Sequence, residues 1–362
     1  MRNKILFITN SFGMGGAEKV LIDIISTLIS AGFKVYVLAF FNIGILSNKM
    51  QGSCQVKTLF NTKFHYLVFR KLKFYRRFLV NRFVKKEEFK IAVGFIEGNP
   101  TALLSDIKMD IYRVAWIHND IRKLDIDLTT SEMEQIYEKI DKIVFVSNDA
   151  KKAFFEKLSE TEVNSQVIYN LIDEKKIQIL SNEEKITNKV FTFLNVGMLR
   201  KQKRQDRLIK IAANLKKLGF EFQIQIIGDG PLKSYLKQLI LDLDVVDKVT
   251  MLGLKKNPYP YIKNCDCFVL SSEYEGYGIV VKEALFLKRL ILTTNVVGPK
   301  EILNDGKYGL IVENSKEALL SSMIEILSNK SKYDKVLTNI QSYSGDNNII
   351  KSELVKLFSH VT

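Results

Sequence analysis

The chain has 362 residues, enough for two domains, and its 46% hydrophobic and 26% charged content is that of a folded soluble protein. Three cysteines, Cys54, Cys265 and Cys267, exclude a disulfide framework, and no second pair completes a zinc site with Cys265 and Cys267. The net charge of +14 suits nucleic acid, an anionic membrane or phosphorylated substrates and does not choose among them.

The opening "MRNKILFITN" lacks the layout of a signal peptide. No apolar run reaches the ~18 residues of a membrane span, so a cytoplasmic protein is expected. The run reads as a strand, followed by "SFGMGGAEKVLIDI", a glycine cluster that opens a helix and suits a phosphate. The dinucleotide fingerprint G-x-G-x-x-G is met at Gly13 and Gly15 but fails at its third position, which holds Glu18. That glycine lets the helix pack close to the sheet, and a carboxylate there would lie near the pyrophosphate. The loop therefore serves something other than a dinucleotide.

The helix stops at Gly32. Strand candidates "KVYVLAF", "CQVKTLF", "KIAVGFI", "RVAWIHN" and "KIVFVSN" follow, separated by amphipathic segments. Near-continuous apolar strands with intervening helices predict a parallel sheet covered on both faces. Residues 63–90 are basic and aromatic. Val68, Leu72, Tyr75, Leu79 and Phe83 form a helical stripe, with Arg70, Lys73, Arg76 and Arg77 off it. Such a helix can lie on an anionic membrane, each cation near the surface contributing about 1 kcal/mol. Equally, it can turn its stripe to the core and leave a wet back.

After Asn170 a polar stretch, "IDEKKIQILSNEEKITNK", reads as a domain boundary. The alternation then restarts with "VFTFLNVG", "FQIQIIGDG", "KVTMLG", "CFVLSS", "RLILTTN" and "GLIV", a second parallel α/β unit. Ligands of such sheets bind beyond the carboxyl ends of the strands. The loops there offer, in order, the cations of "MLRKQKRQDRL", a turn at Pro231, "EYEGYGIVVKEAL" and "VVGPKEIL". Together they describe a pocket for a molecule with phosphates and hydroxyls. Glu275 and Glu283 are separated by seven residues, with Gly276 and Gly278 between them. The glycines permit a sharp turn and free N–H groups at a helix start. Glu283, about one and a half turns into that helix, has the two oxygens needed to accept both hydroxyls of a ribose.

"EYEGYGIVVKEA" resembles the E-x7-E motif of glycosyltransferase family 4, retaining enzymes of the GT-B fold. "GMGGAEKV", "WIHND", "IVFVSN", "VIYN", "IIGDGPL", "VTMLG", "NPYPYIKNCDCFVLSS" and "GPKEIL" resemble that family in its order, over nearly the whole chain. The resemblance implies an α/β protein with two Rossmann-like parallel-sheet domains facing a cleft. Residues 1–172 would face acceptor and membrane, 185–340 would hold the nucleotide-sugar donor, and a helix in 341–362 would return toward the first domain. Carried over by position, Glu283 would bind the ribose and Glu275 the hydroxyls of the transferred sugar. The backbone of Gly276, Tyr277, Gly278 and Ile279 would hold sugar and phosphates, and Lys203 would neutralise the diphosphate. His118 would lie beside the sugar near the reacting carbon. Gly15 and Gly16 would let the N-terminal domain approach the donor phosphates or the acceptor.

Two positions depart from the family pattern. Met198 stands where the family has an arginine, with Arg200 two residues on as its candidate substitute, and "FLKRL" replaces the usual Gly-Lys-Pro ending of the E-x7-E helix. No Asp-x-Asp motif ends a suitable strand, since "DID" at 125–127 falls in a loop region, so no metal or other cofactor is expected. The resemblance implies transfer of a hexose or N-acetylhexosamine from a nucleotide sugar, UDP-sugar being favoured, to a lipid-linked saccharide. The setting would be assembly of surface or capsular polysaccharide, peripheral at the inner face of the cell membrane. A catalytically silent nucleotide-sugar binder and a GT-B sugar-phosphate synthase or epimerase are the alternatives. No zinc-finger, RRM or helix-turn-helix signature supports a nucleic-acid partner.

Overall fold

The computed structural model describes residues 4–11, 15–41, 54–60, 73–124, 128–159 and 161–359. They form two compact units, Met1–Leu171 with Asp346–Thr362, and Ile172–Gly345. The first contains strands β1 (Lys4–Thr9), β2 (Lys34–Phe41), β3 (Gln55–Phe60), β4 (Ile91–Phe95), β5 (Tyr112–Ile117), β6 (Lys142–Phe145) and β7 (Ser165–Val167). They join in the order β3-β2-β1-β4-β5-β6-β7, every neighbouring pair parallel.

Parallel strands need crossovers that cover both faces, which explains why the central strands are apolar at successive positions. Leu6, Ile8, Leu38, Ala92, Ile117 and Phe145 belong to the core on one face. Phe7 alternates to the other face, where its ring lies 6.0 Å from Phe95, and Phe95 lies 5.4 Å from Trp116. The helix Asn347–Ser359 completes this layer by placing Phe358 6.1 Å from Phe7 and 6.4 Å from Phe33.

The second unit repeats the plan with β8 (Thr192–Val196), β9 (Gln223–Ile227), β10 (Val249–Gly253), β11 (Cys267–Leu270), β12 (Leu290–Thr294) and β13 (Leu310–Val312). Their order is β10-β9-β8-β11-β12-β13, again all parallel. The helix Gln205–Lys217 buries Leu208, Ile211, Ala212 and Leu215, an i, i+3, i+4, i+7 set, and the chain leaves it through Gly219 at φ +76°. The polar stretch after Asn170 is not wholly irregular. It contains the helix Glu174–Leu180, capped by the Asp173 side chain, whose Ile177 joins the C-terminal core. Cys265 and Cys267 are free and buried in that core, and burial pushes the Cys265 thiol up to about 12. In each sheet the strand order reverses beside the first strand, between β1 and β4 and between β8 and β11. In such sheets the crevice outside those strand ends is where ligands bind.

Candidate functional site

The loops at the β8/β11 reversal carry the expected charged residues. After β8 the chain makes a short 3-10 turn, Lys201–Lys203, and this turn is stitched to the loop after β11. Ser271 Oγ donates to the Lys203 carbonyl, Gln202 Nε2 donates to the Tyr274 carbonyl, and Glu273 N–H donates to the Gln202 carbonyl, each at 2.8 Å. That stitching brings Lys203 Nζ to 2.6 and 2.7 Å from the two carboxylate oxygens of Glu275. Glu275 is buried, and Ser272 Oγ donates to its Oε1 at 2.5 Å. An ammonium has three donors, so a phosphate oxygen can be held alongside the carboxylate. Arg200 is exposed, with no side-chain partner among the described residues, and Met198 is 38% exposed.

The helix Ile279–Phe286 starts from Gly278 at φ +78° with no side-chain cap. The Val281 N–H donates to the Gly278 carbonyl at 2.8 Å, and the helix start, which carries partial positive charge, has no side chain of its own folded over it. The loop before it is pressed against the start of the helix Val297–Ile302. A Cβ on Gly298 would collide with the Gly276 carbonyl and the backbone of Tyr277, and one on Gly278 would lie 2.8 Å from Pro299 Cγ. Both contacts require the glycines that the sequence supplies. Glu283 is buried on the same helix and accepts a hydrogen bond from the Tyr259 hydroxyl at 3.0 Å. A carboxylate has about four lone-pair positions, which leaves acceptor capacity beyond that bond. Gly228 and Gly230, in "IIGDG", pack against Gly197 and Leu199 of the loop after β8, so that loop touches the end of β9 as well as the loop after β11.

His118 belongs to the N-terminal unit, where it directly follows β5. Its ring lies 4.5 Å from that of Phe95, and its buried Nε2 has no hydrogen-bond partner among the described residues. Burial lowers its pKa to about 3, so the imidazole is neutral at physiological pH. Glu97, at the end of β4, accepts the His118 N–H, and burial raises its pKa. The preceding residue, Ile96, has φ +129°, a conformation that is strained for a β-branched side chain by about 1–3 kcal/mol.

Gly15 caps the helix Gly16–Ser30, and the Glu18 carboxylate folds back over it, where a Cβ on Gly15 would collide with it. That carboxylate sits at the helix N-terminus, as the failed dinucleotide fingerprint implies. Gly13, Arg70, Val68, Leu72 and residues 125–127 lie outside the described residues. Lys73 and Arg76 fall on the helix Lys73–Glu87. Leu79 and Phe83 pack against the N-terminal core, and Val80 and Val84 are buried in it. Leu79 and Phe83 of the stripe are thus turned inward. Arg77 Nε donates to Asp106 Oδ1 at 2.8 Å, which ties this helix down, while Phe78 beside it is 53% exposed.

Ser272, Tyr259, Glu97 and Asn119 were not singled out by sequence reasoning. Ser272 precedes Glu275 by three residues, a usable signal. Tyr259 is 24 residues from Glu283 and Glu97 is 21 from His118, separations at which only the fold makes the pairing.

Comparison with known proteins agrees with this architecture. Residues 176–342 match the family model described as glycosyl transferases group 1. The chain is 28% identical over 345 residues to the N-acetylgalactosamine-N,N'-diacetylbacillosaminyl-diphospho-undecaprenol 4-alpha-N-acetylgalactosaminyltransferase of Campylobacter jejuni, covering 90% of this chain and 89% of that one. It is 32% identical over 197 residues to an uncharacterized glycosyltransferase of Methanocaldococcus jannaschii, a match that covers 49% of this chain and 48%, about half, of that relative. Among solved structures, Anabaena HepE in complex with UDP-glucose superposes with a TM-score of 0.76 at 18% identity, covering 99% of this chain and 100% of that one. The fold is therefore GT-B, as the sequence motifs imply, and the chain is similar to glycosyltransferases along nine-tenths of its length.

Proposed function

We propose that this chain is a retaining, metal-independent glycosyltransferase of family 4. It would move a hexose or N-acetylhexosamine from a nucleotide sugar, UDP-sugar in the first place, to a lipid-linked saccharide. The observation that carries the reading is the Lys203–Glu275 contact at the β8/β11 reversal, followed at once by the uncapped helix that bears Glu283. The Campylobacter relative, named as an N-acetylgalactosaminyltransferase of a diphospho-undecaprenol saccharide, supports the acceptor class. The UDP-glucose bound to HepE supports the donor class.

In this reading the diphosphate lies between Lys203 and the N-terminus of the helix Ile279–Phe286. Negative charge grows on the phosphate as the bond from anomeric carbon to phosphate oxygen breaks. A fixed ammonium and the partial positive charge of the helix N-terminus stabilise that charge without having to reorganise. Glu275 accepts hydroxyls of the transferred sugar, and Glu283 accepts those of the ribose. The acceptor oxygen attacks from the face the phosphate leaves, its proton passes to the departing phosphate oxygen, and the configuration is retained. No side chain is given the role of nucleophile. His118, neutral and with Nε2 unpartnered among the described residues, would lie beside the sugar in this reading. Glycans under assembly on a lipid carrier put the enzyme at the inner face of the membrane. Lys85, Lys86 and Phe78 of the helix Lys73–Glu87 are its candidate contacts there.

The test is thermal unfolding with UDP, GDP, ADP and NAD, each in excess. A ligand at 100 times its dissociation constant adds about 2.7 kcal/mol, a melting shift of several degrees. UDP is expected to raise the melting temperature, and Glu283→Ala or Lys203→Ala to abolish the rise. A shift with NAD and none with UDP would overturn the reading. Transfer to a lipid-linked saccharide is expected to persist in a chelator, with the product anomer matching that of the donor.

A further inference from the structure

The carboxyl end of β4 is built in an unusual way. Ile96 at φ +129° and Gly98 at φ +84° fold the residue between them inward, so that Glu97 is 7% exposed. Thr101 Oγ1 donates to the Ile96 carbonyl at 2.8 Å and holds the turn. Glu97 Oε2 accepts the backbone N–H of His118 at 3.0 Å, and Oε1 accepts Nδ2 of Asn119 at 2.6 Å. One carboxylate thus ties the ends of the adjacent strands β4 and β5, and β4 is the strand beside β1 at the reversal of this sheet. The Phe95 ring packs on the imidazole at 4.5 Å, inclined to it by 64°. Held at its backbone in this way, His118 keeps a buried Nε2 with no partner among the described residues. Joining two strand ends does not require a carboxylate. An apolar side chain would avoid the desolvation of a charged group, and a relaxed turn would avoid the strain at Ile96. Such expense is found where a direction must be fixed.

We propose that Glu97 is the positioning residue of His118: its carboxylate fixes the His118–Asn119 turn and so sets where Nε2 points. The proposal rests on the reading of His118 as the group beside the transferred sugar. Glutamine at this position retains an acceptor for the His118 N–H and gains a donor that a flipped Asn119 amide can meet. Leucine fills the volume and supplies neither.

The experiment compares wild type with Glu97→Gln, Glu97→Leu and His118→Ala. It measures steady-state transfer from UDP-sugar, the melting shift with UDP, and imidazole NMR resonances against pH. The chain has three histidines, His65, His118 and His360, so His118→Ala assigns its own signal. Glu97→Leu is expected to lower kcat about 10–100-fold, with KM for the donor and the UDP shift unchanged. Its His118 signal should titrate near the ordinary histidine value, where that of wild type does not. Glu97→Gln is expected to stay within about threefold of wild type in kcat and to keep the wild-type His118 signal. A Glu97→Leu protein with wild-type kcat and an unmoved His118 signal overturns the proposal. So does equal loss of kcat and of the UDP shift in both Glu97 variants, which would mark a structural role only. Full activity in His118→Ala, or no transfer by wild type, would instead defeat the functional reading. The NMR titration would still decide whether Glu97 sets the environment of the ring.

Discussion

At the scale of single residues, a dry histidine makes a sharp demand on pH. The unfolded imidazole titrates near 6.5 and the folded one, against Phe95, at about 3. Between those values the unfolded chain binds the extra proton, so stability falls as pH drops below 6.5 and the loss is complete only near 3. Glu97 acts with the opposite sign. Burial raises its folded pKa, so its unfavourable term grows as pH rises from the unfolded carboxylate value through the folded one. From pH 7 to pH 5 wild type is therefore expected to lose about 2 kcal/mol more than His118→Leu, read from urea midpoints. Parallel pH dependences in the two proteins would mean that His118 is hydrated in the folded state. Much of this chemistry was legible in sequence, because Lys203, Glu275 and His118 each follow an apolar run that ends in a polar loop. The partners were not. Glu97 reads as the tail of "KIAVGFI" and Tyr259 as part of a proline-rich turn, and neither pattern says which distant side chain it meets.

At the scale of elements, the loop that contains Gly276 and Gly278 is shaped as much by its neighbour as by its own residues. The start of the helix Val297–Ile302 packs so closely on it that Gly298 has no room for a methyl group. The obstacles are backbone atoms, which cannot rotate away. Gly298→Ala is expected to destabilise the protein by about 1–3 kcal/mol and to reduce or remove the UDP melting shift, since the loop itself must move. Gly219→Ala is the control. Its φ of +76° strains an alanine by about 1 kcal/mol, but the space around it is open and the UDP shift should be unchanged. Calorimetry with and without UDP checks both, and equal shifts in the two variants would separate this loop from nucleotide binding. The strands were readable from β-branched and aromatic runs, since only buried parallel strands sustain them. The helix Glu174–Leu180 was hidden in a polar stretch because Ile177 is its single fully buried residue, and only Asp173 marked its start. The stripe at Leu79 and Phe83 was ambiguous for a physical reason. A core and a membrane make the same demand on a helix face, and here the core takes it.

At the scale of the whole molecule, the two units are unequal in how the chain closes them. The C-terminal unit is one continuous segment, whereas the N-terminal unit needs the last residues of the chain to complete its core. Phe358 is fully buried there, edge-on to Phe7 and Phe33. Truncating a buried phenylalanine removes its transfer free energy and leaves a cavity, about 3–5 kcal/mol together. Phe358→Ala should therefore lower the melting of the N-terminal unit by roughly 10 °C. Lys203, Glu275 and Glu283 all belong to the other unit. If they hold the nucleotide, UDP should raise a transition that Phe358→Ala leaves in place, and scanning calorimetry of the variant should show the two separating as UDP is added. Should UDP instead raise the transition that Phe358→Ala lowers, nucleotide binding would belong to the N-terminal unit, and the roles given to those three residues would fall. A single transition that follows both perturbations would mean that the units unfold together, in which case the UDP shift of Lys203→Ala alone decides the assignment.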